Sequence, residues 1–323
     1  MAMTHDSDDA SEDPGSSAGG VCHHLSIDAS GEGQRLDLFV GHALGLSRQK
    51  VKTLLDQQAI LLNGRPVTVA RKGLLLRQGS ELDVTLPATD GQWPVLANPS
   101  LDLKILAQGS GYLMLDKPAG MPVHPLLPTE TDTLLNAAIA RFPQIQGVGE
   151  AGLRSGVVHR LDVETSGVIV LATEQATWQA MRQAFADHRT SKTYAALVHG
   201  RIEEHGSMKL DLTIAQHRPA KVKVVDKPAP QSRRCDLTWR VARRYTHASL
   251  IHVFLGTGFL HQIRVMMAHL GHPVVGDKVY GHDAADLPPP ARLMLHAHHL
   301  DLLGHAADSP IPPAMQQYMD ALR

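Results

Sequence analysis

One segment of the chain carries residue types in an order that suggests acid chemistry: Gly156-Val157-Val158-His159-Arg160-Leu161-Asp162-Val163-Glu164-Thr165-Ser166-Gly167, running directly into the apolar stretch 168–171. A carboxylate at such a turn, close to basic neighbours, can serve as a nucleophile or as a general base. Taken alone, Arg160, Asp162 and Glu164 read first as a surface loop with local ion pairs, which contribute little to stability. Histidine offers a second chemistry. The sequence holds 20 of them, and His261, His269, His272, His296, His298 and His299 crowd its last quarter. Zinc ligands need fixed spacing and a supporting shell, and no HExxH string is present, so no residue is assigned to a metal.

The elements that must position Asp162 are legible on both sides of it. Strand-like apolar runs stand at 112–115, 168–171, 194–198 and 251–255, and Thr173-Glu174 precedes a helical pattern with Met181 and Phe185 four apart. Strands and helices without strict alternation point to an α+β domain, and no internal repeat is visible. Nearer the N-terminus, Leu36, Phe39, Val40, Ala43 and Leu44 recur at helical spacing. Ser47 then stands where an N-cap belongs, ahead of a second helix with Val51, Leu54 and Leu55. That second helix groups Arg48, Lys50 and Lys52. Asn63-Gly64 between 59–62 and 66–69 is a two-residue hairpin signal, and Leu82-Val84-Leu86 alternates as a closing strand. The Pro, Gly, Asp and Asn of 88–100 read as a linker.

Length and composition bound the function. A chain of 323 residues suggests about two domains. Hydrophobic residues make up 43% and charged residues 20%, and no apolar run approaches a membrane span. The N-terminus has neither a basic nor an apolar leader region, so a cytoplasmic protein is expected. Cys22 and Cys235 are too few for a disulfide framework. The net charge of -1 hides an asymmetry. Seven acidic residues and no basic ones precede Gln34, leaving +6 on the remainder, which suits a polyanionic partner. Poor in large apolar side chains, residues 1–32 are expected to form a disordered acidic tail.

The string HRLDVETSGVIVLA resembles, nearly letter for letter, the signature of the RluA-type pseudouridine synthases. YLMLDKPAGMPVH at 112–124 resembles that family's first motif, a strand followed by KPxGxxVH. SKTYAALV at 191–198 is similar to its K-x-Y-x-A-x-V strand, and LGHPVVGDKVYG at 270–281 follows His261-Gln262-Ile263-Arg264 as in its third motif. Leu295-His296-Ala297 matches a C-terminal strand, while 35–67 resembles the small αL RNA-binding domain. One departure stands out: where the family usually reads TGRTHQIRVH, this chain has TGFLHQIRVM, with Phe259-Leu260 in place of Arg-Thr and Met266 in place of the last His.

The resemblance implies an αL RNA-binding domain over 33–87, a linker over 88–100, and a catalytic domain over 101–323 with a central mixed, largely antiparallel sheet. It implies isomerisation of uridine to pseudouridine in RNA without a cofactor, since every atom of the substrate is kept. Asp162 would be the catalytic carboxylate, as nucleophile or base, and Arg264 its buried ion-pair partner. Tyr194 would lie against the uracil and share in catalysis. Arg160 would fill the space left by a flipped nucleotide. Ile263 would line the base pocket, with His159 and Lys192 as further substrate contacts, while Arg48, Lys50 and Lys52 hold RNA backbone. Large-subunit ribosomal RNA is the expected substrate. Transfer RNA, or an RNA-binding assembly factor without activity, are the alternatives, and a monomer with no membrane partner is expected.

Overall fold

The computed structural model describes residues 20–46, 48–87, 93–150, 152–217, 219–229, 231–281 and 287–322. The acidic positions before residue 20, the expected Ser47 N-cap and positions 88–92 of the expected linker lie outside the described residues. Two units are present, divided between Trp93 and Pro94.

The first unit contains β1 (Gly20–Ser26), α1 (Leu36–Ala43), α2 (Arg48–Asp56), β2 (Ile60–Leu62), β3 (Arg65–Pro66) and β4 (Glu81–Pro87). Its antiparallel strands lie in the order β1-β4-β2-β3. Alternation along β4 sends Leu82 and Val84 inward, against Leu36 and Val40 of α1 and Val51, Leu54 and Leu55 of α2. Asn63 and Gly64 take φ of 49° and 73°, the positive values that a two-residue hairpin requires.

Three expectations need correction here. The tail does not extend to residue 32. β1 pairs along its whole length with β4, from Gly20 opposite Pro87 to Ser26 opposite Glu81, and Ile27 is buried in the core. Ladder hydrogen bonds come from the backbone, so a polar composition did not prevent them. The strand expected at 66–69 ends at Pro66, with one further cross-strand bond from the Val67 N–H to the Ile60 carbonyl at 2.9 Å, and a 3-10 turn follows at Val69–Arg71. Nor is 93–100 a bare spacer, because Trp93 packs on the core of the first unit and Val95 is buried in that of the second.

The second unit is α+β. In chain order it contains β5 (Ile105–Gly109), β6 (Tyr112–Lys117), α3 (Leu134–Arg141), β7 (Ser166–Ala172), α4 (Gln175–Ala186), β8 (Thr190–His199) and β9 (His205–His217). There follow β10 (Ala220–Val225), β11 (Arg233–Arg244), β12 (Ala248–Leu255), α5 (Gln262–His269), β13 (Leu295–Leu302), β14 (His305–Asp308) and α6 (Pro313–Asp320). One sheet runs β10-β9-β11-β12-β8-β13-β7-β6-β5, with β14 beside β13. Its pairs are antiparallel except for β13 with β7. Every residue of β7 is buried, as expected of a strand covered on both faces. Ile169 and Leu171 face α3 with Leu113 and Leu115, whereas Val168 and Val170 face α4 with Met114. The far half of the sheet is covered by α5 through Met266 and Met267. The start of β7 therefore lies between β13 and β6, and the chain from Arg160 to Thr165 leads directly into it.

Candidate active site

Asp162 sits in a turn that several side chains brace. The Thr165 N–H donates to the Asp162 carbonyl at 3.0 Å, and β7 begins at the next residue. Gly167 adopts a φ of 115°, and a Cβ there would lie 2.1 Å from the Ala297 carbonyl oxygen, so the parallel pairing with β13 demands glycine. Fully buried Lys117, at the end of β6, donates from Nζ to the carbonyls of Pro118, Met121 and Val163 at 2.8, 2.8 and 3.0 Å. Burial pushes its pKa down to about 7. Arg292 donates to the Ser166 hydroxyl at 2.8 Å and to the Leu295 carbonyl at 3.1 Å, tying the turn to β13.

The opposing wall is the start of α5. Arg264, buried, donates from Nη1 to Asp162 Oδ2 at 3.3 Å. The same guanidinium forms a shorter two-pronged pair with Asp277, Nε to Oδ2 at 2.7 Å and Nη2 to Oδ1 at 2.9 Å. Asp277 also accepts the N–H groups of Val279 and Tyr280 at 2.9 and 3.1 Å. Burial opposes charge on both groups, but the pairing prevails. It holds Arg264 above its ordinary value and Asp277 below. The expected partner of Asp162 is therefore present, and it is shared with a second carboxylate that grips it more tightly.

His261 precedes α5 in a left-handed backbone conformation, with φ 53°. Its Nε2 lies 3.9 Å from Asp162 Oδ2, and its Nδ1 lies 2.9 Å from the Tyr280 hydroxyl. Gln262 secures the loop beneath it, accepting from the Thr257 hydroxyl and the Phe259 N–H at 3.1 and 3.0 Å and donating to the Asp236 carbonyl at 2.9 Å. Phe259 and Leu260 pack against the apolar core next to α5, and Phe259 also lines the cleft.

Arg160, Asp162, Tyr194, Ile263 and Arg264 converge on this cleft from three stretches of the chain. For Tyr194, burial and then the Asp162 charge push the pKa well up, so the phenol keeps its proton at neutral pH. His159 and Lys192, expected at the substrate, are not among the lining residues. His159 accepts the Val170 N–H at 3.2 Å and stacks on Phe185 at 4.8 Å, and burial lowers its pKa to about 3. Lys192 donates to the Thr257 carbonyl at 3.2 Å and lies 5.7 Å from the same ring. His159 Nε2 and Lys192 Nζ thus each bond the protein's own backbone. In the first unit, Arg48 and Lys52 line a depression with Lys72 and with Arg35, which is paired with Asp37 of the same lining, and Lys50 is not part of it.

Three of the late histidines are held by local bonds. His296 meets the Ser166 hydroxyl and the Ser309 carbonyl, His298 the same carbonyl, and His272 the His199 carbonyl. Among the described residues, none of them belongs to a group of three potential metal ligands; Cys22, His24 and Asp83, on the first unit's sheet, do. Sequence reasoning assigned no role to Asp277, Tyr280 or Gln262. The available signal was their place in the GDKVYG and HQIR strings.

Known proteins resemble this chain over most of its length. A model of the RNA pseudouridylate synthase family matches residues 111–269. An uncharacterized RNA pseudouridine synthase of Chloroflexus aurantiacus is 34% identical over 84% of this chain and 82% of the relative. Ribosomal large subunit pseudouridine synthase D of Nitrosomonas europaea is 32% identical over 93% of this chain and 87% of the relative. Among solved structures, human RNA pseudouridylate synthase domain containing 4 has a TM-score of 0.55 at 21% identity, covering 68% of this chain and 93% of that one.

Proposed function

The chain belongs to the RluA family of RNA pseudouridine synthases, and from that premise we propose that it isomerises uridines of large-subunit ribosomal RNA with Asp162 as its catalytic carboxylate. The reaction is an intramolecular isomerisation: the bond between ribose C1′ and uracil N1 breaks, the base turns, and C5 joins C1′. The observation that carries the assignment is the Asp162 carboxylate in the cleft, 3.3 Å from a buried arginine. A carboxylate must be ionised to attack the sugar or take a proton from it, and a neighbouring guanidinium favours that form. Because Asp277 holds Arg264 by two shorter bonds, the guanidinium stays put while its longer contact to Asp162 yields to an incoming ribose.

The cleft supplies the rest. Tyr194 and Ile263 offer an apolar surface for the uracil ring. Arg160, exposed at the edge, enters the stack that the flipped nucleotide leaves and offsets part of a cost of about a few kcal/mol. Arg48, Lys52 and Lys72, the cations of the depression beyond the Arg35–Asp37 pair, suit RNA phosphates. Ribosomal RNA as the substrate is supported by the Nitrosomonas europaea relative that carries that activity in its name. The test is pseudouridine mapping on unmodified ribosomal and transfer RNA, incubated with wild type or Asp162→Asn. Product in ribosomal RNA from wild type alone is expected. Product in transfer RNA alone would overturn the substrate, and equal product from both proteins would overturn the role of Asp162.

A further inference from the structure

The group facing Asp162 that the reaction has so far left idle is His261. Its Nδ1 lies 2.9 Å from the Tyr280 hydroxyl oxygen, which already accepts the Val222 N–H at 2.7 Å. With the amide on the oxygen, the hydroxyl proton is left to point at Nδ1, making that nitrogen an acceptor. Burial raises the Tyr280 pKa, so this proton stays on the phenol at neutral pH. A neutral imidazole that accepts at Nδ1 carries its own proton on Nε2, the nitrogen directed at the cleft. That N–H lies 3.9 Å from Asp162 Oδ2, too far for a hydrogen bond and near enough for a guest oxygen to take it. The left-handed backbone of His261, costly for a residue with a side chain, is what the surrounding Gln262 bonds maintain.

We propose that His261, fixed as the Nε2–H tautomer by Tyr280, donates a hydrogen bond to O2 of the uracil as the base leaves the ribose. The proposal rests on the reading of Asp162 as the catalytic carboxylate. When the C1′–N1 bond breaks, its electron pair enters the ring and spreads over N1, O2 and O4. O2 is borne by the carbon next to N1, so it is the carbonyl oxygen nearest the sugar and hence nearest Asp162. No proton leaves His261. The charge is discharged when C5 bonds to C1′, releases its proton, and N1 takes one from solvent. A fixed donor aimed at charge that develops in the transition state acts on the rate more than on binding.

The neutral form is essential, because an imidazolium would pair with Asp162 and withdraw the carboxylate from the sugar. Among the described residues, the titratable or charged groups acting on the ring are Asp162 and Asp277, whose charges favour protonation, Arg264, which opposes it, and Tyr280. Burial outweighs them and keeps the His261 pKa below its ordinary value.

Single-turnover rates on the RNA that wild type modifies, from pH 5 to 9, together with imidazole nitrogen NMR, test this. His261→Ala should be slower by about 100-fold, with RNA affinity within about twofold of wild type. His261→Gln, which can present an amide N–H, should recover part of the loss, and should lack the acid-side fall in rate that wild type shows. The spectra should place the proton on Nε2 in wild type and give mixed tautomers in Tyr280→Phe. A proton on Nδ1 in wild type, full-speed His261→Ala, or a Gln variant no better than Ala would overturn the proposal while leaving the Asp162 assignment intact. Equal product from wild type and Asp162→Asn would instead overturn both.

Discussion

At the scale of single residues, the site is a chain of charges passed from Asp162 through Arg264 to Asp277. Asp277 is the member whose loss is most informative, since its side chain is wholly inaccessible and it alone fixes the guanidinium by two bonds. Asp277→Asn should destabilise the second unit by about 3–5 kcal/mol, the cost of breaking a buried pair from one side, read by urea denaturation. It should also slow turnover, because Arg264 is then free to close on Asp162. The pH dependence has a defined sign. The Asp277 pKa is depressed below 3.8 in the fold, so the native state binds fewer protons than the unfolded chain. The stability difference between wild type and Asp277→Asn should therefore be constant above the ordinary carboxylate range and shrink as pH falls through it. A difference that grew on acidification would contradict the pairing.

At the scale of elements, the turn that carries Asp162 is fixed by what happens at the start of β7. The single parallel contact of the large sheet, β13 with β7, begins at Ser166 and Gly167, directly after the turn that carries Asp162. Gly167→Ala puts a methyl group into the Ala297 carbonyl and a side chain at a φ of 115°. The backbone strain alone should cost about 1–3 kcal/mol, visible as a lower Tm. Activity should fall further than stability, since the displaced strand end moves Asp162 relative to Arg264. A Gly167→Ala protein with wild-type turnover at a temperature well below its Tm would show that the strand pairing does not position the carboxylate.

At the scale of the molecule, the first unit is a small folded body whose N-terminal strand begins earlier than its composition suggests. Truncation should distinguish the two segments that composition merged. Removing residues 1–19 should leave turnover and the melting of the first unit unchanged. Removing 1–31 deletes β1 and buried Ile27, exposes the β4 edge, and should lower that unit's melting temperature and RNA affinity together. Equal behaviour of the two truncations would contradict a role for β1. The charge on α2 makes a separate prediction. Replacing Arg48 and Lys52 together should weaken RNA binding and reduce the slope of its logarithmic salt dependence by about 1–2, as expected for the loss of two phosphate contacts. An unchanged slope would remove α2 from the RNA interface.

The sequence by itself determined the strands around Asp162, the hairpin at Asn63-Gly64, the fold class and the family, and it named Asp162, Tyr194, Arg264, Arg160 and Ile263 as companions. These are local signals: alternation, turn chemistry, and motif strings in which neighbours along the chain are also neighbours in function. Only the tertiary structure decided that Arg264 is divided between two carboxylates, that His261 faces Asp162 with Tyr280 on its other ring nitrogen, and that His159 and Lys192 turn to Phe185 and the backbone instead. Asp162 and Arg264 are 102 positions apart, and which atoms meet depends on how α5 packs over the sheet. Side-chain direction at that distance is set by packing and by competition among buried partners, and no pattern along the chain encodes it.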